Sequence, residues 1–229
     1  MTYNYSSNNF SVEDLAKLKS RSKAGDADSQ YLLANYYEYG LMIDSKVQIK
    51  PNLKIAFKLT KLAFENGNKE ALISYANYLT NEDFSENNVK LGITLYKKAI
   101  RNNDSLGAVN LARYYSRKGK YKKAFDNFLL SEKLGGYFLF DIGLCYYFGI
   151  GTKQNFEVAI KYFRSVVKNE KWCSEYEFEE SNFILGKLYL EGIHLKKSIL
   201  KSKFHLETAN RENNHRSAQD ILIMLKRTK

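Results

Sequence analysis

Residues 181–192 read SNFILGKLYLEG, and this stretch decides the fold. Ser181 is small, Leu185 and Gly186 follow one turn later, Tyr189 follows two turns later, and Gly192 ends the run. That spacing places a small residue, a leucine and an aromatic on one face of a helix, with a stop signal behind them. The same order recurs at Ser29, Leu33, Ala34, Tyr37 and Gly40, and at Phe138, Ile142, Gly143, Tyr146 and Gly149. Looser copies run through Ala71, Tyr75, Ala76 and Leu79, and through Gly107, Leu111, Ala112 and Tyr115. A partial copy begins at Ala218, with Leu222 and Leu225.

The starts at 29, 71, 107, 138, 181 and 218 lie 31 to 43 residues apart. A period of this size signals stacked supersecondary units, each unable to bury its apolar face alone. Each copy is followed by a second helical pattern: Ile55 to Ala63, then Ile93, Tyr96, Ala99 and Ile100, then Ala124, Phe125, Phe128 and Leu129, then Val158 to Phe163. The recurrent Ala lets two helices approach closely, so each unit reads helix–loop–helix.

The line from Cys145 through Gly149, Ile150 and Gly151 to Ala159 resembles the Sel-one-like repeat, a relative of the tetratricopeptide repeat. In that family a Leu-Gly pair, a Tyr, a Gly-x-Gly turn and a late Ala recur in that order. The resemblance spans about residues 26–219. It is loose in the second copy, where Glu82 stands in the Gly position, and in the third, where Gly119 comes one residue late. It implies an all-α, right-handed superhelical solenoid of about five helix–loop–helix repeats with N- and C-terminal cap helices. It also implies a scaffolding or adaptor role without an active site.

The expected organisation is a flexible arm over residues 1–10 and a single solenoid over 11–229, with residues 218–229 as closing cap. Ser11 and Asp14 resemble a capping box ahead of a short first helix. The single Pro among 229 residues suits an all-α chain. Residues 41–52, LMIDSKVQIKPN, form a long, unusually apolar joint that either folds back on the first repeat or offers an exposed edge.

Composition narrows function. A net charge of +11 draws the protein to acidic surfaces without choosing one. The basic turn at residues 117–123 contains one Tyr, a weak case for nucleic acid, since single-strand binders pair a basic groove with stacking platforms. There is no apolar run of transmembrane length, no secretory pattern at the start, and no disulfide framework in Cys145 and Cys173, which favours the cytoplasm. No phosphate loop, HExxH, nucleophile elbow or CxxC occurs. His194, His205 and His215 match no compact metal spacing, so no catalytic, cofactor or metal residue is assigned.

The largest departure from the repeat is residues 168–180, KNEKWCSEYEFEE, with the only Trp in an acidic setting. Insertions in repeat proteins map to loops on one face, often the binding face. Candidate partner contacts are therefore Trp172, Tyr176 and Phe178 with Glu175, Glu177 and Glu179, joined by the repeat aromatics Tyr75, Tyr115 and Tyr146 on the concave face. The competing local reading is that Trp172 plugs the widened gap and that the Glu run starts the next helix, where carboxylates suit the N-terminal dipole. The expected function is a non-enzymatic module holding one protein partner, with no small-molecule substrate and no membrane insertion. A bacterial immunity protein or dedicated inhibitor of a toxin or effector is the most specific form of that expectation; the alternatives are a signalling or assembly adaptor scaffold and, behind it, a helical-repeat nucleic-acid-binding protein.

Overall fold

The computed structural model describes residues 10–84 and 86–227. Residues 1–9 of the expected arm over 1–10 and the last two residues of the tail lie outside them. Among the described residues there are twelve α-helices and one short hairpin, and the chain divides between Asn103 and Asp104 into two compact units. The all-α helical-repeat class implied by the sequence is the one observed.

The first unit holds α1 (Val12–Lys23), α2 (Ala27–Tyr39), β1 (Leu41–Ile43), β2 (Lys46–Ile49), α3 (Leu53–Glu65), α4 (Ala71–Thr80) and α5 (Val89–Arg101). The capping box read at Ser11 is present: Asp14 N–H donates to Ser11 Oγ, and Asp14 Oδ2 accepts from Ser11 N–H at 3.0 Å. Phe10 already packs on Tyr36, with ring centroids 5.5 Å apart. The joint at residues 41–52 differs from the loop expected of it. It is an antiparallel hairpin turning through Asp44 and Ser45, both in the left-handed region that two-residue hairpin turns require. Strand alternation sends Leu41, Ile43 and Ile49 into a core with Leu15, Leu18 and Leu33, while Met42 and Val47 face outward.

The second unit holds α6 (Ser105–Arg117), α7 (Tyr121–Lys133), α8 (Leu139–Phe148), α9 (Phe156–Lys168), a single 3-10 turn at Glu170–Trp172, α10 (Glu175–Glu191), α11 (Ile199–Ala209) and α12 (Arg216–Arg227). Within it α6 pairs with α7, α8 with α9 and α10 with α11. Helix α12 lays Ile221, Leu222 and Leu225 against Leu206, Ala209 and Ala218.

One hydrogen bond explains why all five pairs turn alike. The N–H of the residue capping the second helix donates to the carbonyl eight residues after the motif start: Asn52 to Tyr37 (2.6 Å), Asn88 to Leu79 (3.0 Å), Lys120 to Tyr115 (2.9 Å), Asn155 to Tyr146 (2.8 Å) and Ser198 to Tyr189 (3.0 Å). In four of the five, the capping side chain also accepts from an N–H three residues on, as Asn155 Oδ1 does from Val158 at 3.0 Å. Gly151 sits at φ +72° with Tyr121 O only 2.2 Å from where a Cβ would stand, so the second glycine of the Gly-x-Gly turn is needed for both its conformation and its close approach.

Candidate partner-binding surfaces

The departure at residues 168–180 resolves into the 3-10 turn and the first turns of α10, which begins six residues before the motif start at Ser181. Ser174 caps α10, and Glu177 closes a capping box, its Oε2 accepting from Ser174 N–H at 2.8 Å. The local reading thus holds for the Glu run, which starts a helix, but not for Trp172, which stays exposed instead of plugging the gap. Glu170, Glu175 and Glu180 have partners as well. Arg211 binds Glu170, stands 3.6 Å from Glu175, and lies over the Phe178 ring at 4.9 Å. Glu180 is 3.4 Å from His215. Glu179 is buried, and burial raises its pKa. The insert is therefore not a free acidic patch.

The nine candidate contacts separate by exposure. Trp172 and Tyr176 stand 61% and 64% exposed, Trp172 beside Tyr137 at 6.2 Å and Tyr176 edge-on to Phe140 at 6.0 Å. Glu175 is exposed and Glu177 half-buried. Phe178 and Glu179 are buried, which removes them as contacts in this conformation. Tyr75 is buried between Phe57 and Phe64. Tyr115 and Tyr146 are half-buried; Tyr146 stacks on Tyr162 and meets Phe125 edge-on. Tyr115 and Tyr146 pack between helices at the aromatic position of the repeat, and Tyr75, which stands at the leucine position of its copy, packs on α3 of the preceding pair, so the three serve packing before surface.

Another face of the first helices, on which Tyr39 and Phe148 are exposed, is built from other positions. Counting two, six, nine and ten residues from the motif start gives Tyr31, Asn35, Glu38 and Tyr39 on α2, and Phe140, Leu144, Tyr147 and Phe148 on α8. The pattern i, i+4, i+7, i+8 is one face of a helix. Each set lines a cavity. On α8 the apolar set is joined by Tyr176, Phe183 and Ile184 of α10, around about 350 Å³, with Glu180 and Lys187 supplying one charge of each sign. On α2 the polar set is joined by Ser74, Asn77 and Tyr78 of α4, around about 250 Å³. Of these lining residues, Tyr176 alone was singled out from sequence. The same count from the starts at 71 and 181 also gives Asn77, Phe183 and Lys187, but not Ser74, Tyr78, Glu180 or Ile184.

The histidines serve packing. His194 stacks on Phe156 at 3.7 Å, and His205 stacks on Tyr189 at 5.6 Å. Among the described residues no group of three or more His, Cys, Asp or Glu is arranged to hold a metal ion.

The Sel1 repeat family model matches residues 27–68, 70–104, 136–165 and 179–214, together more than half of the chain. The chain belongs to the Sel1 repeat family. The model skips residues 105–135, yet α6 and α7 there form the same pair closed by the same Lys120–Tyr115 bond. Two crystal structures share the fold. One is a protective antigen present in uropathogenic Escherichia coli strains, displaying an SLR fold (TM-score 0.69, 18% identity, 93% of this chain). The other is a Sel1 repeat protein from Oxalobacter formigenes (TM-score 0.67, 20% identity, 90% of this chain and 80% of that one). This chain spans 44% of the length of the E. coli protein. Sel1 repeat proteins generally mediate protein–protein interaction and act as non-catalytic scaffolds.

Proposed function

We propose that this Sel1 repeat chain is a non-enzymatic interaction module that seats an apolar segment of one partner protein in the α8/α10 groove, with Trp172 extending the contact. The observation that carries this reading is the exposure of Phe148 and Tyr176, 60% and 64%, on the wall of an apolar cavity. Exposed aromatics rimmed by single charges have the make-up of an interface anchor. The most specific form is a bacterial immunity protein, or similar dedicated inhibitor, acting on a toxin or effector in the cytoplasm. Bacterial relatives of the same fold and two free cysteines are in keeping with it. The engagement of Glu170, Glu175, Glu177 and Glu180 within the chain argues against mimicry of nucleic acid, so a toxin other than a nuclease is favoured.

The test is affinity capture by the parent, Phe148→Ser and Tyr176→Ser, followed by measured Kd for the captured protein. Each variant should weaken binding by about tenfold or more, roughly 1.4 kcal/mol, without lowering the melting temperature. Equal binding by both variants would rule the groove out. Relief of a toxin's growth arrest by co-expression separates an inhibitor from the alternative, a signalling adaptor.

A further inference from the structure

A second cavity, between α2 and α4, has a different chemistry. Its walls include three tyrosines, Tyr31, Tyr39 and Tyr78. Of the eight described residues lining it, Glu38 is the one charged side chain. Two hydrogen bonds hold the helices across it: Tyr31 and Ser74 share a hydroxyl contact at 2.9 Å, and Tyr78 Oη donates to Glu38 Oε2 at 2.7 Å. Burial first, then the Glu38 carboxylate, pushes the Tyr78 phenol up, which keeps it protonated and fixes it as donor. That bond uses Oε2 of Glu38 and leaves Oε1 to a ligand. Asn35 and Asn77 add amides to the lining.

Aromatic faces attract cations through their quadrupole, and a carboxylate among them selects the same sign. At about 250 Å³ the cavity is smaller than typical drug-sized sites, about 300–1,000 Å³, and suits one side chain or small ion. On a chain of net charge +11, a recess whose one charge is negative stands out from its surroundings.

We infer that this recess is a binding site for an alkylammonium or guanidinium group, held by Glu38 in a lining that includes Tyr31, Tyr39 and Tyr78. Two sources supply that chemistry: a Lys or Arg side chain of a peptide, or a free organic cation. The site is built by helices other than those of the α8/α10 groove, so either can fail without the other.

The experiment titrates the full chain with N-acetyl-lysine methylamide, N-acetyl-arginine methylamide, choline and the neutral N-acetyl-norleucine methylamide, following tyrosine ring protons by NMR. The cationic probes should saturate, and the norleucine probe should bind at least about tenfold more weakly. Glu38→Gln should weaken the cations by about tenfold or more at an unchanged melting temperature, and Tyr39→Leu, at an exposed position, by several-fold. Tighter binding of the amides than of choline identifies a peptide side chain as the source, and the reverse identifies a free cation; both uphold the site. If Glu38→Gln fails to fold, Tyr39→Leu reads the same question. Equal affinity for norleucine, undiminished cation binding by a folded variant, or no saturation by any cation would overturn it.

Discussion

Gly186 makes room for Leu206: a Cβ on Gly186 would stand 2.8 Å from Leu206 Cγ and 3.3 Å from its backbone nitrogen. Leu206 is fully buried, so it has nowhere to swing. Gly186→Ala gains about 1 kcal/mol of helix propensity but overpacks the α10–α11 contact by about 1–3 kcal/mol. A net loss of stability in urea denaturation is expected, and Leu206→Ala should cost about 2–5 kcal/mol. An alanine variant as stable as the parent would mean that the two helices separate freely.

The turn between α8 and α9 depends on Asn155, whose side chain caps Val158 and whose N–H meets the Tyr146 carbonyl. Asn155→Ala keeps the backbone bond and loses the cap, so stability should fall by about 1 kcal/mol. Asn155→Pro loses the backbone bond as well and should cost more. Thermal melts of the two variants, read against the parent, check the order.

Trp172 and Glu177 should behave in opposite ways. Trp172 is exposed, so Trp172→Ala should leave stability within about 1 kcal/mol while weakening partner binding by about 2 kcal/mol. Glu177 closes the α10 capping box, so Glu177→Lys should cost about 1 kcal/mol of stability through the lost cap and reversed charge at the helix start. An early-melting Trp172→Ala with normal binding would move Trp172 to a structural role.

His205 makes stability depend on pH. Its Nδ1 lies 2.8 Å from Asn182 Oδ1, and Asn182 Nδ2 already donates to the Phe178 carbonyl, so the proton belongs on Nδ1. Burial, then Arg164 and Lys201, lower its pKa below the ordinary 6.5. A base depressed by folding binds its proton more readily when unfolded. Its stabilising contribution is therefore complete above about pH 6.5 and is lost as pH falls toward the lower folded value. Burial raises Glu179 and Asp141, which act in the opposite direction as pH falls through their raised values. The measurable quantity is the difference: the parent's melting temperature should fall more steeply than that of His205→Gln between about pH 7 and about pH 5.5. Parallel slopes would show that His205 does not titrate on unfolding.

The repeat itself was legible because its physics is local. A small residue, Leu-Gly, an aromatic and a closing Gly on one helix face specify a helix that must pair, and Ser181, Leu185, Gly186 and Tyr189 all pack as that order demands. The first-helix cap at Ser11 and the helical start in the Glu run were likewise local signals. The hairpin at residues 41–49 was not legible, because two short strands gain their stability from the Leu15, Leu18 and Leu33 core beneath them.

Sequence alone determined that this is an all-α helical-repeat chain of the Sel1 family, because hydrophobic period and turn residues are written residue by residue. Only the tertiary structure decided which side chains remain available. Tyr75 and Phe178 are as aromatic as Phe148 and Tyr176, but neighbouring helices bury the first two and leave the second two exposed. The Glu run is acidic in sequence and engaged in space because Arg211, 36 residues beyond Glu175, folds back onto it. Availability depends on what distant residues cover, and that is settled by packing between helices rather than by the identity of any one residue.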